Sequence, residues 1–134
     1  MTSNQLGDAN ELARRFVACR GWNWVAGMLA TDGWRVAGRE GDLILWGRGR
    51  EVTGLSVRSE TNGIPDLSDA ATRGAILELV REAWGDPYTH CQFVIAELNQ
   101  PDCWMAIVDF GIGRREFVGR TEIEALLSAL EAAT

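Results

Sequence analysis

The chain has 134 residues and a formal net charge of −6. All thirteen basic residues are arginine, and there is one histidine, His90. Without lysine the chain has neither a P-loop lysine nor a Schiff-base nucleophile. A single histidine excludes metal sites built from several histidines, and the acidic balance argues against generic binding of duplex nucleic acid. These exclusions favour a binding protein over an enzyme.

The length and composition are typical of one globular domain, with 46% apolar and 24% charged residues. No apolar run is long enough for a signal peptide or a membrane span. Three cysteines, an odd number without a secretory context, predict reduced thiols in a cytoplasm. Residues 1–8 are expected to form a loose tail before a single domain over 9–134.

Apolar spacing and glycine-rich turns predict alternating groups of helices and strands. Residues 33–58 have the composition of a glycine-rich β insertion, and near-continuous apolarity predicts that the strands after residue 90 are covered on both faces. Ser68 is the expected N-cap of the second helix, and Thr121 with Glu124 forms a capping box for the last. In chain order we predict a helix over 9–20, strands over 34–37, 43–46 and 52–57, a helix from 68 to about 84, strands over 91–98, 104–110 and 115–118, and a helix from 121.

Three segments carry a resemblance to a known group of proteins. They are Glu11–Ala13 leading into Cys19–Trp24, Pro65–Ser68 before a helix that ends at Trp84, and the hairpin through Trp104 with the helix that follows it. In these segments the chain resembles the small bacteriophage proteins grouped as the phage ABA sandwich domain. The resemblance covers most of the chain except residues 33–58. It implies a phage or prophage origin and an α-β-α sandwich, and it brings no established catalytic residues.

The predicted fold is therefore α+β: a single-domain α-β-α sandwich with a mostly antiparallel sheet and about three helices.

The first candidate ligand site comprises Arg114, Arg115, Arg120 and Thr121. Nearby glycines would let the backbone approach a ligand, and the N-terminus of the last helix favours anions. Two or three guanidinium groups beside it would hold a phosphate through paired hydrogen bonds. The alternative is a hairpin with solvated arginines and an ordinary capping box.

The second candidate site comprises Trp46, Arg48 and Arg50. A nucleobase would stack on the tryptophan while the arginines hold phosphates. The alternative is a core tryptophan followed by an exposed turn. The glycine spacing here does not match the dinucleotide-binding fingerprint.

Other chemistry has weaker support in the sequence. Trp22, Trp24 and Trp34 would line a pocket or a partner surface, or else fill the core. His90 and Cys91 are neighbours that point to opposite faces of a strand, so no catalytic residue, metal or cofactor is predicted.

The leading hypothesis is a non-enzymatic phage accessory protein that acts in the host cytoplasm by binding. Its most specific form is counter-defence, in which the arginine and tryptophan groups sequester a small anionic nucleotide that serves as an immune signal. The first alternative is a protein inhibitor of a host defence complex, comparable to an anti-CRISPR. A small nucleotide-cleaving enzyme with His90 as its base and a minor virion protein are further alternatives. Assembly into a homo-oligomer is left open.

Overall fold

A computed structural model describes residues 3–40, 43–48, 63–95, 97–110 and 113–133. Within these residues the elements follow in the order α1 (Ser3–Ala18), β1 (Arg35–Glu40), β2 (Leu43–Gly47), α2 (Ala70–Trp84), β3 (His90–Val94), β4 (Cys103–Phe110), β5 (Gly113–Gly119) and α3 (Glu122–Ala132). The strands form two antiparallel sheets, β1–β2 and β3–β4–β5. The predicted α+β class is confirmed. The predicted strand over 52–57 lies outside the described residues.

The chain divides into two compact units. The first consists of residues 1–17 and 23–75, and the second of residues 18–22 and 76–134. None of the described helices combines the length and the apolarity that a membrane span needs.

Helix α1 begins earlier than the sequence predicts. It starts at Ser3, within the segment that is predicted from the sequence to form a loose tail. Serine, asparagine, glycine and aspartate have weak helix propensities, which conceal this first part of the helix. The helix buries Ala13 and Phe16 and ends at Ala18.

The two strands of the first unit pair in register from Arg35 opposite Gly47 to Glu40 opposite Leu43. The register shifts between Val36 and Gly38. The strand predicted over 34–37 stops before Gly38, but Gly38 lies inside β1 at this irregularity. A glycine is common at such a position because its backbone tolerates the local bend.

Helix α2 is capped by Asp69 and not by the predicted Ser68. A carboxylate oxygen of Asp69 accepts hydrogen bonds from the backbone N–H of Thr72 at 3.0 Å and from its hydroxyl at 2.8 Å. The same carboxylate accepts two hydrogen bonds from the Arg35 guanidinium, both at 3.0 Å. The Arg35 guanidinium holds the pKa of Asp69 well below its usual range, with the Thr72 hydrogen bonds adding to the effect. Asp69 therefore joins β1 to the start of α2.

The three-stranded sheet of the second unit has β4 at its centre. Cys91, Ala106 and Phe117 lie side by side across one face, and Gln92, Met105 and Val118 lie across the other. Helix α3 packs on the first face, where a Cβ added to Gly119 would lie 2.4 Å from the backbone nitrogen of Ala125. We call this the helix-covered face and the opposite one the second face.

Trp84, the last residue of α2, also packs in this unit. Its indole N–H donates to the carbonyl of Ala129 at 2.8 Å, and its ring lies 5.6 Å from that of Phe117. Gly85 follows with a φ of 66°, which ends the helix as predicted.

Strand β3 differs from its prediction in length and in burial. It ends at Val94, although the apolar run predicted a strand to Leu98. The side chain of Phe93 is 52% exposed and that of Ile95 is 80% exposed. The prediction of a sheet covered on both faces is therefore wrong for β3. An apolar run alone does not distinguish a central strand from an edge strand, and β3 has β4 as its single neighbour among the described residues.

Candidate functional site

The arginines of β5 point to opposite faces of the sheet because they are neighbours on a strand. Arg114 lies on the second face, where it forms an ion pair with Glu116 at 3.1 Å. Arg115 lies on the helix-covered face, with its guanidinium 5.1 Å from the ring centre of Trp84 and 5.2 Å from that of Phe117. The two guanidinium groups therefore do not converge on one phosphate.

The N-terminus of α3 is occupied by the chain's own side chains. The Thr121 hydroxyl accepts from the Glu124 N–H at 3.2 Å, as the predicted capping box requires. The Glu124 carboxylate in turn accepts from the Arg120 N–H at 2.8 Å and lies 3.5 Å from the Arg120 guanidinium. An incoming anion would have to displace this carboxylate.

Arg114 and Arg120 lie near opposite ends of β5. They are six positions apart along extended chain, a distance of about 20 Å. The structure thus places the four residues of the first candidate site in one region of the fold without forming a single pocket for a phosphate.

The second candidate site is also dispersed. Trp46 is 1% exposed, and its ring lies 5.2 Å from that of Trp24 in an edge-on arrangement. In this structure the buried ring of Trp46 therefore has no exposed face on which the predicted base could stack. Arg48 lies instead over Trp34, 5.7 Å from the ring centre. Arg50 lies outside the described residues.

The two side chains considered for catalysis, Cys91 and His90, lie next to each other on β3. Burial, reinforced by the negative charge of Glu122, raises the pKa of the Cys91 thiol to about 12, so the reactive thiolate is scarce at neutral pH. The carbonyl of Tyr88 lies 3.1 Å from Nδ1 of His90 and can only accept, so Nδ1 carries the proton. Nε2 then accepts from the Gln92 amide at 3.0 Å. Both ring nitrogens of the histidine are engaged by their neighbours.

Metal binding has no support among the described residues, where no three histidine, cysteine, aspartate or glutamate side chains converge. Cys91 and Cys103 are not opposite each other either, since Cys91 pairs with Ala106 and Cys103 pairs with Val94.

A buried carboxylate at the start of β3 was not identified from the sequence. Asp86 accepts from the N–H of Tyr88 at 3.0 Å, from the Thr89 hydroxyl at 3.1 Å and from the N–H of Asp109 at 2.9 Å. These hydrogen bonds, the one from Tyr88 first, lower the pKa of Asp86. The arrangement links the turn before β3 to the end of β4 and positions β3 within the sheet.

The turn between β3 and β4 presents the most exposed large apolar side chain of the described residues. Leu98 is 93% exposed, and Ile95 lies three residues before it. The N–H of Gln100 donates to the carbonyl of Glu97 at 3.1 Å, and Asn99 has a φ of 75°. These features define a type II turn with Leu98 at its corner. We call residues 95 and 97–102 the hairpin tip.

The charges around this corner are acidic. Glu97 precedes Leu98, and Asp102 closes the tip; both residues are exposed. Asn99 and Pro101 are residues typical of turns, but alternation alone does not reveal that Leu98 points outward. The tip combines an exposed apolar side chain, a hydrogen-bonded turn and flanking carboxylates.

Comparison of the chain with protein-family models, curated proteins and solved structures finds no significant match.

Proposed function

We propose that this protein acts by binding another protein through the hairpin tip and carries out no chemistry of its own. The observation that carries the proposal is the exposure of Leu98 at the corner of a hydrogen-bonded turn. A single exposed apolar side chain is common on protein surfaces, so exposure by itself does not indicate a binding site. Here the backbone on either side of Leu98 is held by the hydrogen bond between Gln100 and Glu97, and a preorganised backbone loses less conformational entropy when it binds.

The chemistry of the tip defines the partner. Leu98 and Ile95 would enter an apolar depression, while Glu97 and Asp102 would face basic groups at its rim. The net charge of −6 adds long-range attraction to a basic surface. The resemblance to phage proteins supports a host defence protein of the infected bacterium as the partner, which makes the proposed activity an inhibition by contact.

Sequestration of a nucleotide is less well supported by the geometry. It needs arginines and an aromatic face around one ligand, whereas Trp46 is buried and Arg114 and Arg115 point to opposite faces. This hypothesis is tested by native mass spectrometry of the purified protein with a panel of cyclic nucleotides. A nucleotide retained by the folded protein would favour it over binding of a protein.

The proposal is tested with Leu98→Asp and a matched control, Val118→Asp. Val118 is an exposed apolar residue on β5, so the control makes the same kind of change elsewhere on the surface. We expect quantitative capture from bacterial lysate to give a partner that wild type and Val118→Asp retain and that Leu98→Asp loses at least tenfold. Because Leu98 is exposed, its replacement should shift the free energy of unfolding by no more than about 0.5 kcal/mol. Equal capture by both variants would contradict the proposal.

A further inference from the structure

The outer edge of β3 differs from most exposed strand edges in that it carries no charge. Natural proteins protect edge strands with charged side chains, prolines or bulges, because an unprotected edge pairs with other strands. The five residues of β3 contain no formally charged side chain at pH 7, and the uncharged stretch extends over residues 87–96. Among the described residues β3 pairs on one side only, with β4.

Exposed apolar side chains accompany this edge. Phe93 on β3 is half exposed, and Tyr88, two residues before the strand, is 82% exposed. The ring of Phe93 lies 5.4 Å from that of Trp104 in an edge-on arrangement, which leaves its outer side to solvent. The edge thus has both the open backbone and the apolar area that a paired strand would cover.

We propose that the outer edge of β3 pairs antiparallel with β3 of a second copy of this chain, joining two three-stranded sheets into one of six strands. An antiparallel pair of identical strands has a two-fold axis, and the greatest overlap of His90–Val94 places Gln92 on it. Cys91 of each copy then lies opposite the partner's Phe93, and His90 lies opposite the partner's Val94. The exposed side of Phe93 is covered at this contact.

The charge distribution selects a second copy as the occupant. A charged residue at a two-fold axis meets its own charge, which is destabilising when the two lie directly opposite. The chain carries 19 acidic and 13 basic residues, yet β3 brings none of them to this axis. The other edge strand, β5, carries Arg114, Arg115 and Glu116 within seven residues.

The dimer goes beyond the proposed function without depending on it. The two hairpin tips would point in opposite directions from the axis, so that one dimer presents two binding tips. A protein that does not dimerise could still bind its partner through the hairpin tip. A Leu98→Asp variant that no longer captures the partner could still dimerise through β3. The two proposals can therefore fail separately.

The test uses Gln92→Glu and Gln92→Lys, each of which places two like charges about 5 Å apart at the axis. Gln100→Glu on the hairpin tip is the control for the added charge. Sedimentation equilibrium at pH 8 should show a wild-type dimer and an unchanged Gln100→Glu dimer. Each Gln92 variant should dissociate at least about tenfold more readily, and an equimolar mixture of the two should form a heterodimer in which the charges attract.

The mixture keeps the test independent of folding, because two misfolded variants would not restore each other. A wild-type protein that remains monomeric at about 0.5 mM, a concentration that favours even weak dimers by mass action, would overturn the proposal. So would a dimer that both Gln92 substitutions leave intact, since the interface would then lie elsewhere.

Discussion

The two outer strands of the three-stranded sheet present different edges to their surroundings. β5 carries three charged residues, and its two arginines already interact with Glu116 on one face and with Trp84 and Phe117 on the other. β3 carries no charge and is flanked by exposed apolar side chains. The edge of β5 is therefore protected against pairing with another strand, while the edge of β3 is suited to it, although both belong to one small sheet.

The largest expected effect comes from Gly119 at the end of β5. A Cβ at this position would lie 2.4 Å from the backbone nitrogen of Ala125 and 2.7 Å from the Cβ of Glu124. We expect Gly119→Ala to lower the free energy of unfolding by about 3 kcal/mol, because backbone atoms of α3 cannot move aside. A denaturant titration monitored by circular dichroism measures this decrease in the free energy of unfolding.

Gly113 at the other end of β5 provides the matched control. An added Cβ meets nothing within 4 Å there, so Gly113→Ala should be neutral or stabilising by up to about 1 kcal/mol. Equal losses for the two substitutions would mean that β5 is not fixed to α3 by close packing.

The second effect concerns Asp86, which holds the start of β3. Asp86→Ala removes an acceptor from two backbone N–H groups and one buried hydroxyl, and we expect a loss of about 3 kcal/mol. Asp86→Asn keeps one acceptor oxygen and should lose less. Thermal unfolding of both variants shows which one loses more stability. A larger loss of stability for Asp86→Asn than for Asp86→Ala would contradict the assigned role.

The pH dependence follows from the lowered pKa of the same group. The folded state favours ionised Asp86, so its stabilising effect is fully present above the unfolded pKa of about 3.9 and is lost as the pH falls below that value. Asp69 contributes in the same direction. Between pH 5 and 3, Asp86→Asn should therefore lose less stability than wild type. The free energy of unfolding is measured by urea titration at several pH values. An equal decrease for wild type and Asp86→Asn between pH 5 and 3 would contradict the ionised state of Asp86.

The smallest expected effect separates the two arginines of β5. Arg115→Ala removes contacts with two aromatic rings and should cost about 0.5–1 kcal/mol. Arg114→Ala removes an exposed ion pair and should cost about 0.5 kcal/mol or less. Chemical denaturation measures the free energy of unfolding of both variants. A larger loss of stability for Arg114→Ala than for Arg115→Ala would contradict the roles assigned to the two arginines.

Local signals in the sequence predicted much of this fold. The spacing of Thr121 and Glu124 predicted the N-cap of α3, and the apolar spacing predicted that α2 ends at about residue 84. The cap of α2 was displaced by one residue because Asp69 also binds Arg35, a contact 34 residues away that no local pattern contains.

The candidate sites were predicted less well because they depend on exposure. Trp46 has the composition of a stacking platform, but packing against Trp24 removes it from solvent. Leu98 resembles a strand residue in the sequence and becomes the most exposed apolar side chain of the described residues through the conformation of Asn99. Alternation places residues on faces, but it does not say which faces or edges are covered.

The most direct test of the difference between the two edges is amide hydrogen exchange measured at several protein concentrations. If β3 pairs with a second copy, exchange in residues 90–94 slows as the concentration rises, while exchange in residues 113–119 does not change. Gln92→Glu should abolish the concentration dependence at β3. Exchange that is independent of concentration at both edges, or that slows equally at both, would contradict the account.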